Sequence, residues 1–464
     1  MTLNYKRTIL VGFAFFLISA FWQAYDAIVP LILTNHFGLM ETASGVIMSL
    51  DNILAVFMLP LFGALSDKVN TKFGKRTPFI VIGTLLSVAS FVVLSFIDGY
   101  QLLRVEEAGI PALREALSNG EDLSEIISKT FEITKENPTP LILFIVTLLV
   151  VLVSMATFRS PAVALMPDVT VKPLRSKGNA IINLMGTGGA IIVLGFGIVF
   201  ATSKNLYMEY TPYVLATCAV MLIGLIVFVI TVKEKKWAKE MQDETVRLHL
   251  DSLTKEDGEE RKLTRVEIKS LLLILASVAL WYIGYNSITS KYSVYATNVL
   301  NFDYNLTLIV AQAAAIVSYI PVGILSSRFG RKKMILAGII MLASAFFIGN
   351  FINSTSPELV MYPIFALAGI GWATINVNSF PMVVELARGS EVGKYTGYYY
   401  TASMTAQIVA PIISGALYDI FTMRSVFFAF GTLFVVLSFV TMLFVKRGDV
   451  IPERKGALES FDVD

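Results

Sequence analysis

Long apolar segments recur along the whole chain, and they limit its possible folds more than any other feature. Each is about as long as the roughly 20 residues that an α-helix needs to cross about 30 Å of hydrocarbon. Inside lipid a segment must satisfy its own backbone hydrogen bonds, and a helix does so. The sequence therefore predicts an all-α membrane protein with twelve transmembrane helices, at about residues 8–34, 43–65, 77–97, 140–166, 178–202, 211–232, 270–297, 305–326, 334–354, 358–384, 395–418 and 425–445.

Composition excludes several other classes of protein. Only 16% of the residues are charged, whereas soluble domains carry about 25%. Lysine and arginine exceed the acids by only two, which argues against a nucleic-acid partner. The single cysteine, Cys218, excludes a disulfide framework, and His36 and His249 lie too far apart to suggest a metal site. No phosphate-binding loop or nucleophile elbow is present, so we expect neither an enzyme nor a cofactor.

Charge predicts the orientation in the membrane. Most of the 37 lysines and arginines fall in the connections that share a side with the N-terminus, and such connections are usually cytoplasmic. We therefore expect a multi-pass protein of the cell membrane with both termini in the cytoplasm. The segment 98–139 is expected outside, with a short amphipathic helix, and the segment 233–269 is expected to be a solvated, charged cytoplasmic linker.

The chain repeats internally. Two separate stretches recur at one offset, residues 25–26 with 285–286 and residues 63–66 with 323–326. Later in each half the offset between repeated residues shortens by about the length of the segment 98–139. Asp168 then aligns with Glu385. Duplicated units of this kind form alternating-access transporters, with the substrate between the halves. The predicted organisation is an N-terminal six-helix bundle, a linker and a C-terminal six-helix bundle with a short tail, at residues 1–232, 233–269 and 270–464.

Two loops carry a family resemblance. The loop "GALSDKVNTKFGKRTPFIVIG" at 63–83 resembles the signature of the major facilitator superfamily, and "GILSSRFGRKK" at 323–333 is its second-half echo, with Ser327 in place of the acid. Within that superfamily, "GKRTPFIVIG" and "PAVALMPDVT" at 161–170 resemble the sucrose-transporter family. The resemblance implies a monomeric major facilitator fold and proton-coupled symport of a disaccharide or glycoside.

Four ionisable residues fall inside predicted spans, where a charge costs several kcal/mol and usually has a function. The resemblance to sugar porters implies that Asp26 and Arg159 couple transport to protons; a static buried ion pair is the alternative. Asp51 either joins this pair or lines a hydrated outer vestibule. Lys291 is expected to extend to the outer membrane interface.

Asp168 has two interpretations. The resemblance to sucrose transporters implies that it carries the proton, with Arg175 as its partner. Its place near the end of the fourth predicted span instead suggests a cytoplasmic gate of ion pairs. The residues of this gate would be Asp67, Lys75, Arg76, Asp168 and Arg175 in the first half, and Arg328, Arg331 and Glu385 in the second.

Polar and aromatic residues recur at helical spacing on several predicted spans. Amides can bind sugar hydroxyls, and aromatic rings can stack on the C–H face of a sugar. The alternative is that the aromatic residues pack or mark the membrane interface and that the amides bridge helices. The expected substrate-binding residues are Trp22, Gln23, Asn183, Trp281, Tyr285, Asn286, Gln312, Trp372, Asn376 and Gln407.

Two other functions stay open. The first is export of a sugar, peptide or amphiphile, although the glycine run 186–197 lacks the Gly-Pro pair of the drug–proton antiporters. The second is a membrane sensor that transports nothing.

Overall fold

The computed structural model describes residues 3–108, 123–171, 174–204, 207–247, 264–384, 386 and 392–447. Twelve long helices dominate this part of the chain. They are α1 Tyr5–Leu31, α2 Glu41–Lys68, α3 Thr77–Glu107, α4 Thr139–Val169, α5 Arg175–Val199, α6 Thr211–Thr231, α7 Arg265–Thr289, α8 Tyr304–Phe329, α9 Arg331–Gly349, α10 Met361–Val384, α11 Val392–Ile420 and α12 Met423–Leu443.

Eleven of the twelve helices, counted over the described residues, are both long and apolar enough to cross a membrane. The exception is α11, which has 29 residues but carries many tyrosines, threonines and serines. It packs against α2 of the first half and α7 of the second. The predicted set of twelve helices is confirmed.

The two halves repeat one packing pattern. In the first half α1 packs on α5 and α6, α3 packs on α4 and α6, and α2 packs on α4. In the second half α7 packs on α11 and α12, α9 packs on α10 and α12, and α8 packs on α10. The same pairs therefore recur after a shift of six helices, and the predicted pair of pseudo-symmetric bundles is confirmed. The halves meet along two further pairs, α2 with α11 and α5 with α8.

We call the membrane side where α1 begins and α12 ends the terminal face, and the other side the distal face. On the distal face α3 continues well beyond the predicted end of its span, as far as Glu107. The expected amphipathic helix is present at Leu123–Glu136, and its buried stripe consists of Ile126, Thr130 and Thr134. The earlier part of that prediction, residues 113–122, lies outside the described residues.

Buried polar contacts hold this distal segment to the first bundle. His36 Nδ1 lies 2.6 Å from Asp98 Oδ1, and both side chains are at most 1% exposed. The Tyr207 hydroxyl lies 3.0 Å from Thr130 Oγ1, and burial raises the pKa of this phenol. This contact ties the amphipathic helix to the segment between α5 and α6.

The start of the expected linker is anchored to the first bundle by two buried residues, Glu234 and Trp237, while most of its other side chains are exposed. It forms a helix, Glu234–Arg247, and the Glu234 carboxylate accepts hydrogen bonds from the backbone N–H groups of Lys75, Arg76 and Thr77 at 2.7–2.9 Å. These N–H groups open α3 and have no acceptor within the helix, so Glu234 caps them. Gly74, at φ +121°, passes directly against this carboxylate. The first part of the linker is thus fixed to the first bundle.

Candidate functional site

A central cavity of about 580 Å³ lies between the two bundles. Its volume is within the range of sites for small molecules. Helices α1, α4 and α5 of the first half and α7, α8 and α10 of the second supply most of its wall. Nine of the predicted site residues line it: Trp22, Gln23, Asp26, Arg159, Asn183, Tyr285, Gln312, Trp372 and Asn376.

A group of three charges lies at this cavity. Asp26 is in the middle of α1 and yet exposed, because it faces the cavity. Arg159 on α4 and Asp51 on α2 both lie within electrostatic reach of Asp26, and Asp51 is also within reach of Arg159. No direct ion pair joins Asp26 to Arg159 among the described residues. The two carboxylates therefore share one guanidinium, which favours the interpretation in which Asp51 joins the pair.

Arg159 also contacts an aromatic residue of the cavity wall. Its Cζ lies 5.6 Å from the centre of the Trp22 ring, which is within the range of a cation–π interaction. Trp22 is one helical turn from Asp26 on α1, so the same guanidinium is near both an aromatic face and the carboxylates. The structure thus connects the predicted proton group with a predicted substrate-binding residue.

Several polar atoms at the cavity have no partner. Gln312 Nε2 donates to Gln23 Oε1 at 2.7 Å, which joins the two bundles across the cavity. Gln312 Oε1, Asn376 Oδ1 and Trp22 Nε1 are buried and lack a hydrogen-bond partner. Buried polar groups are nearly always satisfied in folded proteins. Two acceptors and one donor on cavity-lining residues are therefore unsatisfied within the protein.

The second bundle supplies an aromatic wall. The Trp372 and Tyr285 rings are stacked, with centroids 6.2 Å apart and an interplanar angle of 27°. Asn376 lies one turn from Trp372 on α10, and both line the cavity. This arrangement offers an apolar ring face beside an amide.

Three of the predicted substrate-binding residues lie outside the cavity wall, so the structure corrects their placement. Trp281 is 1% exposed, with its ring centroid 4.0 Å from that of Tyr282. Asn286 Nδ2 donates to the Tyr282 carbonyl at 2.8 Å, and Gln407 Nε2 donates to the Ser403 carbonyl at 3.3 Å. Helical spacing indicated a shared face, but it could not show which residues of that face reach the cavity.

Asp168 is at the terminal face, away from the cavity, and its partner is not the predicted one. Its Oδ2 accepts from Arg76 Nε at 2.8 Å and lies 3.3 Å from Lys75 Nζ. Arg76 also binds Asp67 at 2.5 Å. Arg175 instead donates to the backbone carbonyls of Thr170 and Pro167 at 3.2 and 2.9 Å.

These ion pairs fasten the terminal ends of α2, α3 and α4, all in the first bundle. The side chain of Arg76 is only 5% exposed, whereas that of Asp168 is 22% exposed. Ser66 Oγ also accepts a hydrogen bond from Arg76. The cluster is therefore a clamp within one half, and each partner of Arg76 stabilises its buried guanidinium.

The structure describes only part of the gate predicted for the second half. Arg328 is exposed near the end of α8, with its Cζ 5.5 Å from the centre of the Phe329 ring. Arg331 is 8% exposed at the start of α9. Glu385, the expected acid of this gate, lies outside the described residues.

The prediction for Lys291 is wrong. Its side chain is 0% exposed, and its Nζ lies 2.5 Å from Glu41 Oε2 at the start of α2. The lysine thus pairs with the other half of the protein and does not extend to the membrane interface. Glu41 lies at the distal end of a span and gave no sign of this contact, because the two residues are remote in sequence.

We expect Asp168→Asn to destabilise the protein without weakening substrate binding. The change removes the charged acceptor of the buried Arg76 guanidinium, and hydrogen bonds to charged groups contribute about 1.5–3 kcal/mol. Thermal unfolding of the purified protein should detect the loss, with Lys72→Gln, an exposed cation of the same loop, as the control. Normal stability and binding combined with loss of proton-driven accumulation would instead favour Asp168 as the proton site.

Comparison with known proteins agrees with this architecture. The sequence profile of the Major Facilitator Superfamily matches residues 11–318 and 303–462. An uncharacterized MFS-type transporter of Methanocaldococcus jannaschii is 23% identical over 461 residues, which cover 95% of each chain. The multidrug resistance protein MdtG of Proteus mirabilis is 27% identical over 142 residues, which cover 30% of this chain and 34% of that protein.

A solved structure has the same fold. The inward-open xylose transporter XylE of E. coli superimposes with a TM-score of 0.66 at 14% identity, and the match covers 99% of each chain. The profile covers nearly all of the chain, and the relatives and the fold are those of transporters, not enzymes. The protein therefore belongs to the Major Facilitator Superfamily of multi-pass membrane transporters.

Proposed function

We propose that the protein is a secondary transporter that carries a disaccharide or glycoside together with a proton by alternating access. One observation carries the proposal: a single cavity joins an aromatic and amide wall to Asp26 and Arg159, which both lie within electrostatic reach of Asp51. The wall suits a neutral polyhydroxyl molecule, and the charged group suits a proton. The sucrose-transporter resemblance of residues 74–83 and the fold of a xylose transporter agree with a sugar.

Charge counting explains how a proton would bind. Asp26 and Asp51 are both near Arg159, so the group carries a net charge of −1 when all three are ionised. A charge in the membrane is costly unless it is paired. One proton on either carboxylate leaves a single balanced pair. We infer that the loaded state carries this proton and that Asp26 is its acceptor, because Asp26 faces the cavity whereas Asp51 does not line it.

Trp22 connects the substrate to this proton. Its ring lies beside the Arg159 guanidinium. A sugar that stacks on Trp22 and accepts hydrogen bonds from Arg159 would hold the guanidinium away from the carboxylates. A carboxylate that is farther from its arginine binds a proton more readily. Sugar binding therefore favours proton binding at Asp26, as symport requires.

The sidedness follows from charge. Positive connections lie on the terminal face, which we therefore assign to the cytoplasm, and the distal segment Leu123–Glu136 is then outside. A cell membrane that maintains a proton gradient would drive the sugar inward through this site.

Transport into proteoliposomes tests the proposal. The purified protein is assayed with a panel of disaccharides and glycosides, and a true substrate should make the external medium alkaline as protons enter with it. If no sugar moves protons and none competes for binding, sugar symport is wrong.

Export of an amphiphile is the second candidate. The likeness of a 142-residue stretch to the multidrug resistance protein MdtG favours it. The same proteoliposomes distinguish the two, because an exporter would respond to cationic dyes and not to sugars, and its proton flux would run against its substrate.

A further inference from the structure

The two bundles are joined on the distal face by charged groups that the central site does not use. Lys291, which follows α7, is fully buried and pairs with Glu41 at the start of α2. Asn35 and Asn298 exchange two amide hydrogen bonds between the same regions, at 2.8 and 3.3 Å. Removing one member of a buried pair leaves the other charge uncompensated, so this junction is costly to disrupt one residue at a time.

The first turn of α2 depends on the other bundle for its cap. Met40, which precedes α2, has no side chain that can accept a hydrogen bond. Asp419, at the end of α11, accepts instead from the backbone N–H groups of Glu41 and Thr42, both at 2.8 Å, and from the Thr42 hydroxyl at 2.5 Å. A carboxylate at a helix N-terminus also interacts favourably with the helix dipole.

The pseudo-equivalent helix α8 is capped differently. Its own Asp303 accepts from the backbone N–H of Asn305 at 2.8 Å, so α8 needs no carboxylate from the first bundle. The contact of α8 with the first bundle is neutral: the Tyr304 hydroxyl and Asn305 Nδ2 donate to Thr202 Oγ1 at 2.7 and 3.0 Å. Of these two seams, the charged one is therefore that of α2 with α11.

The backbones of α2 and α11 approach closely at the same place. A side chain at Gly45 would collide with the carbonyl of Pro411, and one at Gly415 would collide with the carbonyl of Glu41. Lys291 is also flanked by Thr289 and Ser293, which both line the cavity. The charged seam thus adjoins residues of the cavity wall on the distal side.

We propose that Glu41, Lys291 and Asp419 form the distal gate of the transporter, an ion-paired latch that must open for the cavity to reach the distal side. Its opening exposes Lys291 to water and transfers the cap of α2 from Asp419 to solvent. The latch thereby favours the state closed on the distal face. This inference depends on alternating access but not on the identity of the substrate or on proton coupling.

A single-cysteine reporter tests the latch. Ser293→Cys is placed in a Cys218→Ser background, and a membrane-impermeant maleimide is added only on the distal side of sealed vesicles. Labelling should be slow with the latch intact and at least about tenfold faster in Glu41→Gln, Lys291→Gln and Asp419→Ala. The exchange of charges, Glu41→Lys with Lys291→Glu, should restore slow labelling.

The matched control is Asp303→Ala. It also removes a carboxylate that caps a pseudo-equivalent helix, but within one bundle, so distal labelling should not change. Gel-filtration profiles and melting temperatures identify any variant that fails to fold. The charge exchange and Asp419→Ala test the latch independently of the single substitutions at Glu41 and Lys291. Unchanged labelling in folded latch variants, or an equal increase in Asp303→Ala, would overturn the proposal.

Discussion

Asp26→Asn is expected to abolish uphill accumulation of the substrate while downhill flux and exchange continue. The change keeps the shape of the side chain but removes the carboxylate that faces the cavity. The remaining Asp51 and Arg159 then form a balanced pair that binds no further proton. In vesicles with an imposed pH gradient, accumulation should fall to simple equilibration, whereas counterflow of labelled substrate should persist.

Asp51→Asn is the matched variant. It also leaves one carboxylate with Arg159, so the charge count is the same. We expect accumulation to fall for Asp51→Asn as it does for Asp26→Asn. Wild-type accumulation by Asp26→Asn would remove this residue from the proton path.

Trp372→Ala is expected to weaken substrate binding about 5- to 150-fold. Stacking of a ring on an aromatic side chain contributes about 1–3 kcal/mol, and each 1.36 kcal/mol corresponds to about tenfold in affinity. Trp372 lines the cavity and stacks on Tyr285. Binding to the purified protein, measured by calorimetry or by quenching of tryptophan fluorescence, checks this expectation.

Asn376→Ala and Trp281→Ala separate binding from packing. Asn376 contributes an unpartnered buried oxygen, so its loss should lower affinity with little change in melting temperature. Trp281 is buried outside the cavity, so its loss should lower the melting temperature while the affinity is unchanged. Normal affinity with reduced stability in both Trp372→Ala and Asn376→Ala would assign this face of α10 to packing.

Much of the architecture was predictable because lipid imposes a simple rule on the sequence. The apolar segments predicted twelve helices, and the repeated loops at 63–83 and 323–333 predicted two related bundles; both predictions are confirmed. The ends of the helices were less predictable. Helix α3 extends to Glu107 through a stretch that mixes apolar residues with charged and polar ones, so hydropathy does not mark where the helix ends.

The site was predictable only in part, because sequence periodicity shows which residues share a helix face but not what that face contacts. Asp26, Arg159 and Trp372 line the cavity as expected. Trp281 belongs to the same pattern of polar and aromatic residues at helical spacing, yet it is buried outside the cavity. Contacts between segments that are remote in sequence could not be predicted. The Lys291–Glu41 pair and the cap of α3 by Glu234 each join residues that no local pattern connects.

The most direct test of the account is the measurement of substrate and proton flux together in one set of proteoliposomes. With a transported disaccharide, wild-type protein should move protons and sugar in a fixed ratio, and Asp26→Asn should exchange the sugar without proton movement. The account is contradicted if sugar transport proceeds without proton movement in the wild type, or if Asp26→Asn keeps the wild-type ratio.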